Sequence, residues 1–148
     1  MLKTVLAVIV GYFVMAMFLF VTFSGLYLAI GADGAFQPGT YEVSGLWLVV
    51  SFGLSLVAAI FGGMACARVA GNASAAKALA AVVFVAGVGL AWPALNPATD
   101  TRLAVRTADV PNLEAMKNAR QPSWVALSLP LVGAIGALIG GARARQHS

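Results

Sequence analysis

Residues 46–67 read LWLVVSFGLSLVAAIFGGMACA, a run of 22 residues without Asp, Glu, Lys, Arg or His. A helix needs about 20 apolar residues to cross the hydrocarbon core of a bilayer, so this run predicts a membrane-spanning helix. The 148-residue chain is 61% hydrophobic and 9% charged, whereas soluble domains carry about 25% charged residues. A water-soluble fold would lack polar surface, and we therefore expect a single transmembrane domain comprising residues 1–148.

Three further stretches share this apolar character. The first, Thr4–Ile30, is too long for the apolar core of a signal peptide, which is about 7–15 residues. The third, Ala78–Leu95, is the shortest, and we expect residues 75–77 to extend its helix to the membrane interface. The predicted fold is an all-α membrane protein with four transmembrane helices, at approximately residues 4–30, 46–67, 75–95 and 124–142.

The charged residues are distributed unevenly between the two sides that four spans define. The side of the termini carries basic residues alone: Lys3, Arg68, Lys77, Arg143 and Arg145. The other side carries four basic residues and all five acidic ones, namely Asp33, Glu42, Asp100, Asp109 and Glu114. The positive-inside rule then predicts a multi-pass protein of the bacterial cytoplasmic (inner) membrane with both termini cytoplasmic. Anionic membrane lipids explain the net charge of +4, and no nucleic-acid partner is implied.

The largest aqueous segment is predicted to be the outer loop of residues 93–123. Alternation around Val105 indicates a short extended piece. Farther along, Asn112 or the proline before it begins a helix and Pro122 ends it. We expect a short amphipathic helix at approximately residues 112–120, lying on the outer membrane surface or across the mouth of the bundle.

Small residues recur at helical spacing in the second and fourth stretches. In lipid, such rows let two helix backbones approach closely. They predict helix-packing or interface residues at Ser51, Ser55, Ala59, Gly63, Gly133, Gly136 and Gly140. Either the rows pack within the chain or at least one receives a helix of another protein. Their number favours a non-catalytic accessory or scaffold subunit of a larger membrane complex, with other integral membrane subunits or self-association as partners.

An alternative function is the binding or transport of a small lipophile such as a lipid, quinone or pigment. Such a ligand needs an apolar cleft with few charges. The aromatic residues able to face it are Phe20, Phe23, Tyr27 and Trp92.

The four stretches lack the residues of most intramembrane chemistry. Proton and ion relays use ionisable side chains inside the bundle, and small multidrug-resistance transporters, which are similar in size, depend on an acidic residue in the first helix. Intramembrane haem needs axial His, and His147 lies in the C-terminal tail. We therefore expect no catalytic residues, no cofactor and no metal. An enzyme acting through the acids between Asp100 and Glu114 is the least favoured hypothesis.

Overall fold

The computed structural model describes residues 2–96, 100–106 and 110–145. Within these ranges the chain forms α1 (Leu2–Ala35), α2 (Gly45–Ala70), α3 (Ser74–Leu90), α4 (Trp92–Leu95), α5 (Asn112–Asn118) and α6 (Ser123–Arg145). The prediction of an all-α fold is confirmed. Asp109 and His147, both used above, lie outside the described residues.

Three helices are long and apolar enough to cross a membrane. They are Leu2–Ala35, Gly45–Ala70 and Ser123–Ala144. The apolar α3 has 17 residues, which corresponds to about 26 Å at 1.5 Å per residue. The chain is therefore a membrane protein with three candidate spans and one shorter apolar helix.

Two predicted spans differ from the helices that form. The helix α1 extends beyond the predicted end at Ile30, but it is kinked at Gly31, where φ is 69° and ψ is −177°. The third stretch is divided, because α3 ends at Leu90 and α4 begins at Trp92. Pro93 lacks the N–H that would continue the hydrogen bonds of α3.

The helix α2 is the centre of the bundle, packing against α1 on one side and α6 on the other. The helix α3 packs mainly on α6, and it meets α1 to a much smaller extent. The four long helices thus follow the spatial order α1, α2, α6, α3.

The two ends of the bundle differ in composition. One end, here called the turn end, holds residues 71–73 and both ends of the described chain. There the Lys3 ammonium lies beside Gly71, and Gly141 packs on Ala76. Gly71 has a φ of 72° and closes α2 by donating its N–H to the Arg68 carbonyl at 3.3 Å. The opposite end, the loop end, holds residues 36–44 and the described part of residues 91–122.

Close backbone contact joins α2 to its neighbours in the turn-end half. A Cβ atom added at Gly63 would overlap the Ala137 carbonyl of α6, and one added at Gly140 would overlap the Ile60 carbonyl of α2. On the other side of α2, a Cβ at Gly11 would lie 2.8 Å from the Gly62 carbonyl oxygen. Only glycine permits these approaches, which increase van der Waals contact between helices in lipid.

Candidate binding cavity

A cavity of about 600 Å³ lies between α1, α2, α3 and α6 in the loop-end half of the bundle. Ligand pockets commonly have volumes of about 300–1,000 Å³. One face of α1 and one face of α2 form two of its walls, with residues three or four apart along each helix. These residues are Tyr12, Met15, Ala16, Leu19 and Phe23 on α1, and Trp47, Ser51 and Ser55 on α2.

The opposite walls come from α3 and α6. Pro130 of α6 packs against Gly87 of α3, where an added Cβ would lie 2.7 Å from the proline Cγ. Both residues line the cavity, as do Val83 and Gly133. Gly87 and Gly133 here, and Ser51 and Ser55 on α2, are small residues that leave space in the wall of the cavity.

The cavity is open to the surface of the bundle, and α1 and α3 contribute exposed residues to its wall. These helices meet toward the turn end, where the Leu79 side chain packs against Gly11. Closer to the loop end, Tyr12 and Ala16 of α1 and Leu90 of α3 line the cavity and are also exposed on the surface of the bundle. The wall of the cavity therefore includes surface residues of the bundle beside the gap between α1 and α3.

The loops close the cavity at the loop end. Val43 and Met116 line it there together with Arg102, Ala119 and Gln121. These residues come from three separate segments, which are joined by backbone hydrogen bonds. The Val43 N–H donates to the Arg120 carbonyl at 2.9 Å, and the Arg120 N–H donates to the Tyr41 carbonyl at 2.8 Å. We call this set of segments, residues 36–44, 100–106 and 110–122, the roof.

The predicted extended piece around Val105 forms part of the roof. Val105 makes an isolated antiparallel bridge with Thr40. The roof also contains a turn at Pro38 and Gly39, since Gly39 has a φ of 70° and the Thr40 N–H donates to the Gln37 carbonyl at 3.2 Å. A positive φ at the third position is characteristic of a type II turn and favours glycine.

Asp100 links two arginines of the roof. Its carboxylate accepts from Arg102 Nε at 2.8 Å and Nη2 at 2.9 Å, and it lies 3.4 Å from Arg120 Nη2. Arg102 also donates from Nη1 to the Ala119 carbonyl at 2.8 Å. The hydrogen bonds from Arg102 outweigh the opposing effect of burial and lower the pKa of Asp100 from 3.8 to about 2.

Two further polar contacts connect the roof to the rest of the loop end. Tyr41, which is 2% exposed, donates to a Glu114 carboxylate oxygen at 3.0 Å. Burial, together with this carboxylate, raises the pKa of the Tyr41 hydroxyl. The buried Arg106 forms an ion pair with Asp33 at 2.5 Å between Nη2 and Oδ1. Asp33 lies past the kink of α1, so this pair anchors the roof to the first helix.

The helix α5 lies across the mouth of the bundle. The Asn112 amide donates to the Ser24 hydroxyl at 2.9 Å, and the Tyr27 hydroxyl donates to the Val110 carbonyl at 2.6 Å. Ala115 is buried against the bundle, while Leu113 is 75% exposed. The helix ends at Asn118, two residues before the predicted position 120, and its buried residues are Ala115 and Asn118.

The predicted packing residues fall into two groups. Ala59 and Gly63 of α2 meet Gly136 and Gly140 of α6 in the turn-end half: an added Cβ at Gly136 would lie 2.6 Å from Ala59 Cβ. The other group consists of cavity-lining residues, Ser51, Ser55 and Gly133. One row of small residues on α2 thus belongs to a helix contact at one end and to a cavity wall at the other.

The predicted lipophile-facing residues are also divided. Phe23 lines the cavity and packs on Trp47 with ring centroids 5.4 Å apart. Tyr27 lies beside it, 6% exposed, in the cluster under α5. Phe20 and Trp92 do not line the cavity, and they are 51% and 59% exposed.

Several cavity residues were not singled out from the sequence. Met15 and Leu19 lie on the same face of α1 as Phe23. Helical periodicity starting from Phe23 could therefore have predicted that they line the same cavity. Arg102 and Gln121 carry no such signal, because the long-range pairing of the loops brings them to the cavity. Among the described residues, no group of three or more His, Cys, Asp or Glu is placed to hold a metal ion.

Comparison of the chain with models of protein families, with curated proteins and with solved structures gives no match. The class of protein therefore rests on the helices and the cavity themselves. Three long apolar helices indicate a membrane protein, and the cavity of about 600 Å³ between them is lined mainly by apolar residues.

Proposed function

We propose that this chain is a small, non-catalytic membrane protein that binds a lipophile in the cavity between α1, α2, α3 and α6. The observation that carries the proposal is the cavity of about 600 Å³ together with the exposed residues that α1 and α3 contribute to its wall. Its walls are apolar along most of their length, as the pockets of small-molecule sites generally are. A lipophile dissolved in the membrane would enter sideways and remain in an apolar environment throughout.

The polar groups of the cavity support binding of a molecule with at least one polar atom. Ser51 donates its hydroxyl to the Trp47 carbonyl at 2.7 Å. The Ser55 hydroxyl, one turn farther along α2, has no hydrogen-bond partner among the described residues and lines the cavity. A ligand hydroxyl or carbonyl beside Ser55 would supply that partner. Hydroxyl groups of this kind fix a ligand's orientation without adding chemistry, which agrees with a binding role.

We further propose that α3 is the fourth span and that the turn end faces the cytoplasm of a bacterial cell. The turn end carries Lys3, Arg68, Lys77 and Arg143, all of them exposed. The carboxylates of the described residues lie at the loop end or in the roof. By the positive-inside rule this asymmetry supports a cytoplasmic location of both termini. Anionic headgroups of the inner leaflet would be the partners of the basic side chains.

The accessory-subunit hypothesis stays a prediction. Its motive was the number of small-residue rows, and the structure accounts for these rows within one chain. Ala59 and Gly63 are occupied by α6, and Ser51 and Ser55 line the cavity. These predicted packing residues therefore have neighbours or a cavity within the chain, and this supports the lipophile-binding function over the docking of a second chain at these positions.

Native purification in a mild detergent or nanodisc, followed by mass spectrometry, tests the proposed function. We expect a lipophile at a fixed ratio to the wild-type chain. A Ser55→Phe variant should lose it, because the aromatic ring fills the cavity. A Val49→Phe variant should retain it, because Val49 lies on the same helix and is 73% exposed. Equal ligand content in both variants would refute the proposal, whereas protein partners at a fixed ratio, without a lipophile, would support the accessory-subunit hypothesis instead.

A further inference from the structure

The cavity carries positive charge at one end. Among the residues that line it, Arg102 is the charged one, and no carboxylate belongs to its wall. The neighbouring Asp100 is shared between Arg102 and Arg120. One carboxylate therefore faces two guanidinium groups, and this cluster retains an excess of one positive charge beside the cavity.

Arg102 also retains hydrogen-bonding capacity. An arginine side chain has five N–H groups. Three of those in Arg102 donate, two to Asp100 and one to the Ala119 carbonyl. The remaining two have no partner among the described residues, and the side chain is 24% exposed. Gln121 lines the same end of the cavity, and its amide adds neutral donors.

The polar end and the apolar end of the cavity are separated along the helix axes. Arg102 and Gln121 belong to the roof, whereas Met15 and Tyr12 lie on α1 toward the turn end. A molecule that matches this gradient has a polar headgroup at one end and an apolar chain at the other. The gap between α1 and α3 would admit the chain from the membrane while the headgroup stays at the interface.

From these observations we infer that the ligand is an amphiphile with an anionic headgroup, bound by Arg102 and Gln121, with its acyl chain lying between α1 and α3. This inference rests on the proposed lipophile-binding function and narrows it to one chemical class. The headgroup chemistry is a carboxylate or a phosphate, because both pair with a guanidinium through charge-assisted hydrogen bonds. A free fatty acid and an acidic phospholipid would both supply it.

Quenching of Trp47 fluorescence by brominated lipids measures this binding directly, because Trp47 lines the cavity. Trp92 and Trp124 are 59% and 57% exposed, so both are first replaced by Phe to remove their signal. The protein is placed in nanodiscs of neutral phosphatidylcholine. The probes are a brominated long-chain fatty acid, its methyl ester and a brominated phosphatidic acid.

We expect half-maximal quenching by the acid at a concentration about tenfold lower than by the ester, which is the effect of one hydrogen-bonded charge. Arg102→Gln should remove this difference, and Arg102→Lys should keep most of it, because lysine preserves the charge. Unchanged quenching by the ester in Arg102→Gln would show that the roof still closes the cavity.

The outcomes separate this inference from the proposed function. Equal quenching by acid and ester in the wild-type chain would overturn the inference and leave lipophile binding intact. Absence of quenching by every probe would overturn both. Arg102-dependent quenching by phosphatidic acid would support the inference with a membrane phospholipid as the source of the anion, whereas Arg102-dependent quenching by the fatty acid alone would support it with a free acid as the source.

Discussion

The turn end and the loop end of α2 carry the same row of small residues but have different surroundings. At Gly63 the neighbour is the Ala137 backbone of α6, which leaves no room for a methyl group. At Ser55, eight residues earlier and on the same face, the neighbour is the cavity. Small residues in a membrane helix can thus bring two backbones together or keep a space between them.

The partner helix explains the difference between the two ends. At the turn end α6 offers Gly136 and Gly140, so neither helix has a side chain that separates the backbones. At the loop end α6 offers Leu129 and Pro130, and the pyrrolidine ring of Pro130 is packed on Gly87 of α3. The bulk of α6 at this level is directed toward α3, and the space beside α2 and α1 remains open.

The largest expected effect is the difference in stability between two variants, each of which adds one methyl group at one end of the row of small residues on α2. Gly63→Ala places its Cβ on the Ala137 carbonyl, a backbone atom that cannot rotate away, and should lower the free energy of unfolding by about 1–3 kcal/mol. Ser55→Thr adds a methyl group beside the cavity and should change it by less than about 0.5 kcal/mol. Unfolding of both variants in detergent, followed by circular dichroism, measures the difference.

Gly53→Ala is the matched control for this comparison. It makes the same substitution in the same helix, but the new Cβ would have no heavy atom within 4 Å. Since alanine favours a helix over glycine, this variant should gain about 0.5–1 kcal/mol. A loss of stability at Gly53 equal to that at Gly63 would mean that contact with α6 is not the cause.

A second pair of variants, on α6, should show a smaller difference in stability between the two ends. Gly140→Ala meets the Ile60 carbonyl of α2 and should destabilise the bundle by an amount similar to Gly63→Ala. Gly133→Ala would place its Cβ 2.9 Å from Val83 Cγ1, the end of a side chain next to the cavity. Because Val83 can shift into that space, this variant should lose less than half as much. Equal losses in thermal unfolding would contradict the contrast between the two ends.

Much of the bundle could be predicted from residues 46–67 and the three similar stretches, because length and the absence of charge determine which segments form apolar helices. The contact of Gly63 with α6 also follows from spacing. The sequence does not show where that contact stops, since the same four-residue spacing continues through Ser55 and Ser51. The position at which it stops depends on Pro130, whose ring packs on another helix.

The division of the third stretch and the assembly of the roof needed the structure for different reasons. Pro93 is a local signal for the end of a helix, and the prediction of one continuous span through Leu95 did not take it into account. Arg102, in contrast, reaches the cavity because residues 104–106 and 120 pair with residues 39–43. Such pairing joins segments more than sixty residues apart, and local patterns contain no information about it.

The smallest expected effect is a loss of roof stability at low pH, and it should be confined to the loop end. The pKa of Asp100 is lowered to about 2 by hydrogen bonds from Arg102. A lowered pKa means that the carboxylate stabilises the roof fully above its ordinary value of 3.8 and loses this contribution as the pH falls through about 2. The Arg102 backbone N–H donates to the Asp100 carboxylate at 3.0 Å. An NMR titration of the Asp100 carboxyl carbon should show this value, and Asp100→Asn should abolish the accompanying shift of the Arg102 amide.

The turn end provides the internal reference for that titration. The charged side chains described at the turn end are all basic, and the side chains around Gly63 and Ala137 are apolar. The chemical shifts of the amides there should therefore stay constant between pH 5 and about 2. Glu42→Gln, which changes an exposed carboxyl at the loop end, should leave the shift of the Arg102 amide intact. If the amides of Gly63 and Arg102 instead responded together, the two ends would form one cooperative unit. The roof could then not open separately from the packed half of the bundle, and a ligand would depend entirely on the passage between α1 and α3.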